Sequence, residues 1–303
     1  MRKLPLPTRD GVGPSCVGLP PGPWSTIAEF LVERFPAIPR ATWEGRMRAQ
    51  EVVDEHGVPV SAERPYQSHL RVYYYRSLET EPRIPFEERI LFLDELLLAV
   101  DKPHFLPVTP VGRYVQESLL VRLKRKLALD QLAPLHRIDR ETAGVVLFSV
   151  QPATRGSYSA LFAERAMSKH YEAIVPWRDA PPLPAVRRSR LAPDAHFMRM
   201  REVAGEPNAE TRFELLEQRD GWARLGLSPL TGRRHQLRVH CAALGMPILN
   251  DAIYPQLLPE AEEDFDHPLQ LLARRLAFRD PVTGAPREFT STRSLALPLI
   301  PKY

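Results

Sequence analysis

Cysteine is scarce: Cys16 and Cys241 are the only two in 303 residues. Two cysteines cannot build a disulfide framework, and they do not stand at zinc-ligand spacing, so no structural metal is implied. Long apolar runs are missing too. Nothing approaches the ~20 residues that a membrane helix needs. Pro and Gly break up the N-terminal stretch and leave no apolar signal-peptide core, so a reducing cytoplasm is the expected setting. There is no glycine-rich phosphate loop and no internal repeat. Nor is there a strong charge bias, since 41 Lys+Arg face 37 Asp+Glu.

Basic residues nevertheless cluster, at Arg122, Lys124, Arg125 and Lys126, at Arg187, Arg188 and Arg190, and at Arg233, Arg234 and Arg238. Such clusters suit a phosphate backbone, because each neutralised phosphate releases counterions. Any single cluster is equally a solvated surface.

Along the chain, residues 1–23 read as an extended N-terminal segment. Thr26-Ile27-Ala28-Glu29 fits a capping box, with Ile27, Phe30 and Leu31 at helical spacing after it. A second helix is expected over Ala41–Gln50. A hairpin comes next around Asp54-Glu55-His56-Gly57, and a strand over Leu70–Tyr75. Residues 77–88, with Pro82 and Pro85, read as a linker. Arg89–Leu93 and Leu96–Val100 form a hairpin around Asp94-Glu95, after which Lys102 is either a surface residue or one that faces substrate. A helix is expected over Val115–Leu129, another over Gln151–Ala166, and an alternating strand over Ser168–Val175 with Lys169, Tyr171 and Ala173 on one face. Residues 176–208, rich in Pro and Arg, read as loop. Asp220-Gly221 marks a hairpin between Arg212–Glu217 and Trp222–Ser228. Thr231-Gly232 then turns into Arg233–His240, a strand or the start of a helix. This order predicts an α+β protein with a mixed, mostly antiparallel sheet flanked by helices and loops, plus a small N-terminal α/β module.

The chemistry centres on His136-Arg137-Ile138-Asp139-Arg140-Glu141-Thr142-Ala143-Gly144, a titratable cluster just before the apolar run Val145–Phe148. A polar loop at the end of a rigid element is where scaffolds present reactive groups. Asp and Thr are also ordinary turn formers. Asp139, Tyr171 and Arg238 stand in three separate stretches. A guanidinium keeps a carboxylate ionised and fixes its orientation. A tyrosine ring can hold a flat base by stacking, and its hydroxyl can move a proton. Together they suit covalent catalysis on a sugar or heterocyclic base.

Those stretches carry a resemblance. His136-Arg137-Ile138-Asp139 with Thr142-Ala143-Gly144 closely resembles the His-Arg-Leu-Asp…Thr-Ser-Gly motif of the RluA family of pseudouridine synthases. Lys169–Ala173 resembles that family's Lys-x-Tyr-x-Ala strand. Thr231–His240 resembles its Thr-Gly-Arg-Thr-His-Gln-Ile-Arg-Val-His motif. Gly245–Asp251 with Tyr254, and the turn Pro281–Gly284, resemble two later segments. Ile138, Ala143, Arg234 and Asn250 depart from the motifs, where the family has Leu, Ser, Thr and Gly. Asn250 tolerates the left-handed conformation a glycine would adopt, and Arg234 adds a charge that could meet RNA. The similarity runs from about Arg89 onward, implying a catalytic domain over 89–303. Residues 24–76 resemble, more distantly, the alpha-L RNA-binding domain, although Trp24-Ser25-Thr26 and His56-Gly57 replace its basic helix start and Asn-Gly turn.

The resemblance implies isomerisation of a specific uridine to pseudouridine in ribosomal or transfer RNA, with no metal or organic cofactor, by a monomer without membrane association. Asp139 would be the essential carboxylate and Arg238 its ionic partner. Tyr171 would stack on the uracil. His136, Arg137, Lys169, Arg233, Arg234 and His235 would bind RNA or shape the site. Alternatives are a non-catalytic RNA-binding protein of the same fold, double-stranded RNA binding by the N-terminal module alone, and a glycoside hydrolase built on Asp139. The last needs a second carboxylate at a defined separation, for which Glu141 and Asp251 are available.

Overall fold

Thr26 starts the first helix as its sequence predicts. Its hydroxyl accepts from the Glu29 N–H, and the Glu29 carboxylate accepts from the Thr26 N–H. The computed structural model describes residues 7–75, 81–177, 183–259 and 264–298. These divide into two compact units. One holds the chain up to Pro82 with Pro110–Glu117 and Val121–Asp130; the other holds Arg83–Thr109, Ser118–Leu120 and the chain from Gln131 on.

The smaller unit runs β1 (Ser15–Gly18), α1 (Ile27–Arg34), α2 (Arg40–Arg48), β2 (Val52–Asp54) and β3 (Arg71–Tyr74). Its antiparallel sheet has the order β1-β3-β2. Ile27, Phe30 and Leu31 meet Trp43, Val52 and Val72 in its core. Asp54 closes the expected turn by accepting from the His56 and Val58 N–H groups and from Arg64. Within the extended N-terminal segment, β1 pairs with β3 along its length. One expectation needs correction. Residues 110–117 and 121–130, expected in the catalytic domain, belong with the smaller unit. The Glu81 carboxylate accepts from the N–H groups of Val115, Gln116 and Glu117, and Val12 packs on Val115 and Val121. The expected helix over Val115–Leu129 is shorter in the structure, where α3 spans Leu119–Leu127. Residues 1–6 of the N-terminal segment and 77–80 of the linker lie outside the described residues.

The larger unit is built on β4 (Arg89–Leu93), β5 (Leu97–Lys102), β6 (Ala133–Pro134), β7 (Ala143–Ser149), α4 (Arg155–Ala163), β8 (Ser168–Pro176), β9 (Val186–Pro193), β10 (Met200–Val203), β11 (Ala209–Arg219), β12 (Trp222–Pro229), α5 (Gln236–Ala243), β13 (Leu271–Arg279) and β14 (Pro286–Thr290). Its sheet has the order β10-β9-β11-β12-β8-β13-β7-β5-β4, with β14 on β13 and β6 on β7. Among the described residues only β13 and β7 pair in parallel, so the sheet is mixed and mostly antiparallel, as expected. The β11–β12 turn has positive φ at both Asp220 and Gly221, the conformation a two-residue hairpin requires. The stretch 176–208 is not loop. It forms β9 and β10, held across the ladder by Arg187–Glu202, and β9 is held to β11 by Arg188–Glu210. Residues 178–182 of that stretch lie outside the described residues.

One row of the sheet sets the position of the titratable loop before β7. Gly144 on β7 is opposite Ala273 on β13, Ala273 is opposite Tyr171 on β8, and Tyr171 is opposite Leu227 on β12. Gly144 has φ +114°, and a Cβ there would lie 2.2 Å from the Ala273 carbonyl oxygen. Only glycine fits so close a parallel approach.

Candidate active site

The loop between β6 and β7 carries Asp139, and its turn closes with the Thr142 N–H donating to the Asp139 carbonyl at 3.1 Å. Thr142 is buried beneath it. Lys102, at the end of β5, fixes the other side. Its ammonium donates to the carbonyls of Pro103, Leu106 and Arg140 at 2.9, 2.7 and 2.9 Å. It is fully buried and faces no substrate. Burial drives its pKa down to about 7, against the opposing pull of Glu141 and Asp139. An ammonium is the one side chain with three donors on a single atom, so Lys102 can gather three backbone segments under the loop.

Asp139, Tyr171 and Arg238 converge on one cleft of about 110 Å³. Tyr171 and Lys169 reach it from the same face of β8, as strand alternation predicts. Arg238 comes from the first turn of α5, so the Arg233–His240 stretch resolves as a turn followed by a helix. His235 just before it takes φ +54°. Gln236 braces this turn. Its carbonyl oxygen accepts from the Thr231 hydroxyl at 2.6 Å and the Arg233 N–H at 3.1 Å, and its amide donates to the Glu210 carbonyl.

Arg238 donates to Asp139 Oδ2 through Nη1 at 3.2 Å. Its principal partner, however, is Asp251. Nε and Nη2 form a two-pronged contact with the Asp251 carboxylate at 2.8 and 2.7 Å. Asp251 Oδ1 also accepts from the N–H groups of Ile253 and Tyr254. Burial disfavours the Arg238 charge, but Asp251 and then Asp139 outweigh it and raise its pKa. Asp251 is wholly buried while Asp139 keeps 28% of its side chain accessible. The buried carboxylate neutralises the guanidinium, and the accessible one is left pointing into the cleft. His235 Nε2 lies 3.9 Å from Asp139 Oδ2, and its Nδ1 is 3.0 Å from the Tyr254 hydroxyl. Burial, only partly offset by Asp139, lowers the His235 pKa. Tyr171 is raised, first by burial and then by the Asp139 charge, so its phenol is protonated at neutral pH.

The other expected residues divide. Arg137, Lys169, Arg233 and His235 line the cleft. His136 does not: its Nε2 accepts from the Leu147 N–H at 3.1 Å and its ring stacks on Phe162. Burial takes its pKa down to about 3, so it is a neutral strut for β7. Arg234 turns away and donates to the carbonyls of Phe197 and Met198. Asn250 takes φ +63° in the place of the motif's glycine. Glu141 is held below its ordinary value by Arg140 and Arg238 despite burial. The sequence offered no signal for Lys102 as a strut, and for Asp251 only its place in a motif. Among the described residues, no group of His, Cys, Asp and Glu could hold a metal ion, and no helix is long and apolar enough to cross a membrane.

A family model described as RNA pseudouridylate synthase matches residues 96–243. The chain is 30% identical over 232 residues to an uncharacterized RNA pseudouridine synthase of Synechocystis, covering 75% of this chain and 79% of that one. It is 34% identical over 211 residues to the dual-specificity RNA pseudouridine synthase RluA of Haemophilus influenzae, covering 67% and 91%. Among solved structures, human RNA pseudouridylate synthase domain containing 4 shares 26% identity at a TM-score of 0.54, over 68% of this chain and 88% of that one. Human RNA pseudouridylate synthase domain containing 1 shares the fold, with a TM-score of 0.56 at 23% identity over 71% and 86%.

Proposed function

The chain belongs to the RluA family of RNA pseudouridine synthases, isomerases that act on RNA, and on that premise we propose that Asp139 is the carboxylate that drives uridine isomerisation here. The observation that supports it most is the pairing of one accessible carboxylate with a guanidinium already neutralised by a second, buried carboxylate. Asp139 is thereby oriented while retaining access to a bound nucleotide.

The reaction breaks the bond between ribose carbon 1′ and uracil nitrogen 1, turns the base, and joins carbon 1′ to carbon 5. Carbon 5 gives up its proton and nitrogen 1 gains one, so atoms and electrons balance without a co-reactant. In this reading Asp139 assists cleavage at the glycosidic bond. Tyr171 stacks on the uracil and holds it during rotation. Its protonated hydroxyl can take part in moving the carbon 5 proton only by handing on its own. The target must leave its stack to reach so small a cleft, which calls for base flipping or an unpaired uridine. Arg137, Lys169 and Arg233 sit at the rim where phosphates would pass.

We assign ribosomal or transfer RNA as the substrate class, consistent with the dual specificity named for the Haemophilus relative. The glycoside hydrolase reading loses both candidates for its second carboxylate: Glu141 pairs with Arg140 and is not among the residues lining the Asp139 cleft, and Asp251 is committed to Arg238. Both Asp251 oxygens are held by Arg238 inside the protein, where they have no water to activate. Incubating the protein with RNA labelled with tritium at uridine carbon 5 tests the reading. Tritium should appear in water as pseudouridine forms. No release from ribosomal or transfer RNA would contradict it.

A further inference from the structure

The hairpin between β9 and β10 carries two exposed rings that the chemistry at Asp139 leaves unused. Phe197 is 78% exposed, and the His196 ring stacks on it at 5.0 Å with an interplanar angle of 28°. A single exposed ring is ordinary at a protein surface, so what matters is how this one is held. The tip that presents it is fixed. Asp194 N–H donates to the Arg199 carbonyl, Arg199 N–H to the His196 carbonyl, and Met198 N–H to His196 Nδ1. Arg234 then clamps it from outside, donating to the Phe197 and Met198 carbonyls at 2.9 and 3.0 Å. Arg234 is one of the positions where this chain departs from the family motifs, and it is bonded in sequence to His235, which faces Asp139. Tyr254 makes a second link, since its hydroxyl accepts from the Met200 N–H and meets His235. The rings are therefore tied to the active site through two connections that meet at His235.

We propose that Phe197, backed by His196, is a stacking platform for an unpaired base of the substrate RNA close to the target uridine. The inference rests on RNA pseudouridylation as the proposed function. The two strands that carry the tip bear exposed Arg190 and Arg201, and exposed Arg233 lines the Asp139 cleft. That is the cation-plus-aromatic combination that single-stranded RNA favours, because phosphates meet the charge while bases meet the rings. A pre-fixed ring loses little freedom on binding, so its stacking is realised almost in full.

The test uses the full chain in two assays. In the first, total RNA labelled with tritium at uridine carbon 5 is titrated and tritium release followed. Phe197→Ala should raise the half-saturating RNA concentration about tenfold, equivalent to about 1.4 kcal/mol, with the maximal rate kept within about twofold. Phe197→Trp should restore the wild-type value and Phe197→Leu should not. In the second, a stem-loop RNA with uridines and one 2-aminopurine in its loop is bound without turnover. Its fluorescence should be quenched by the wild type and Phe197→Trp, and not by Phe197→Ala. Unchanged half-saturation and quenching in Phe197→Ala would overturn the platform, as would full rescue by leucine, which would point to an apolar protein partner. A wild type that releases no tritium yet quenches the probe would sink the pseudouridylation reading and leave the platform standing.

Discussion

Asp251 grips Arg238 with two short hydrogen bonds, 2.7 and 2.8 Å, while the more accessible Asp139 receives one at 3.2 Å. The guanidinium is thus shared unequally, and the site is a carboxylate–guanidinium–carboxylate triad with one carboxylate inside the protein. Asp251→Asn keeps the shape and removes the charge. It leaves a guanidinium that is 2% exposed with only a partly solvated partner. Breaking a buried pair from one side costs about 3–5 kcal/mol. The variant should show a lower urea midpoint together with slower pseudouridine formation. Wild-type values for both would remove Asp251 from the account.

Tyr171→Phe separates the ring from the hydroxyl. The ring face is unchanged, so the half-saturating RNA concentration should stay near wild type. If the hydroxyl helps move the carbon 5 proton, the maximal rate should fall by about 10²–10⁴-fold, the range for one lost proton-transfer group. A rate near wild type would reduce Tyr171 to a stacking surface. Tyr171→Ala should weaken both parameters.

His240 supplies a pH dependence of stability. It is fully buried, 3.0 Å from both the Ser189 and Thr211 hydroxyls, and burial carries its pKa down to about 4 despite the opposing Glu202. In the unfolded chain it titrates near its ordinary value of about 6.5. Between those values the unfolded state binds more protons, so stability rises with pH across the window. The contribution is complete above about pH 6.5 and is lost towards pH 4, by at most about 1.4 kcal/mol per pH unit. Urea midpoints at about pH 7.5 and about pH 5 should fall further apart in the wild type than in His240→Gln. Equal losses in the two proteins would contradict the assignment.

Features governed by local chemistry were legible in the sequence. The Thr26 cap, the Asp220-Gly221 turn and the shared face of Lys169 and Tyr171 all follow from rules spanning a few residues. β9 and β10 were hidden because Pro and Arg mask strand alternation, and the ion pairs that hold the ladder join residues far apart in sequence. The same limit concealed Lys102. A lysine at a strand end is ordinarily solvated, and only the folded backbone reveals three carbonyls gathered around it. For His136 the sequence left two roles open, binding RNA or shaping the site, and its ring nitrogen serves the backbone of β7.

The most direct test replaces one oxygen of the carboxylate proposed to drive the reaction. Asp139→Asn is nearly isosteric and lies in a turn closed by backbone atoms, so the protein should fold and bind RNA as the wild type does. With RNA labelled at uridine carbon 5, the account predicts tritium release by the wild type and none above background by Asp139→Asn, with RNA affinity retained. Release by Asp139→Asn within about tenfold of the wild type, a loss of only about 1.4 kcal/mol of transition-state stabilisation, would show that another group drives the reaction.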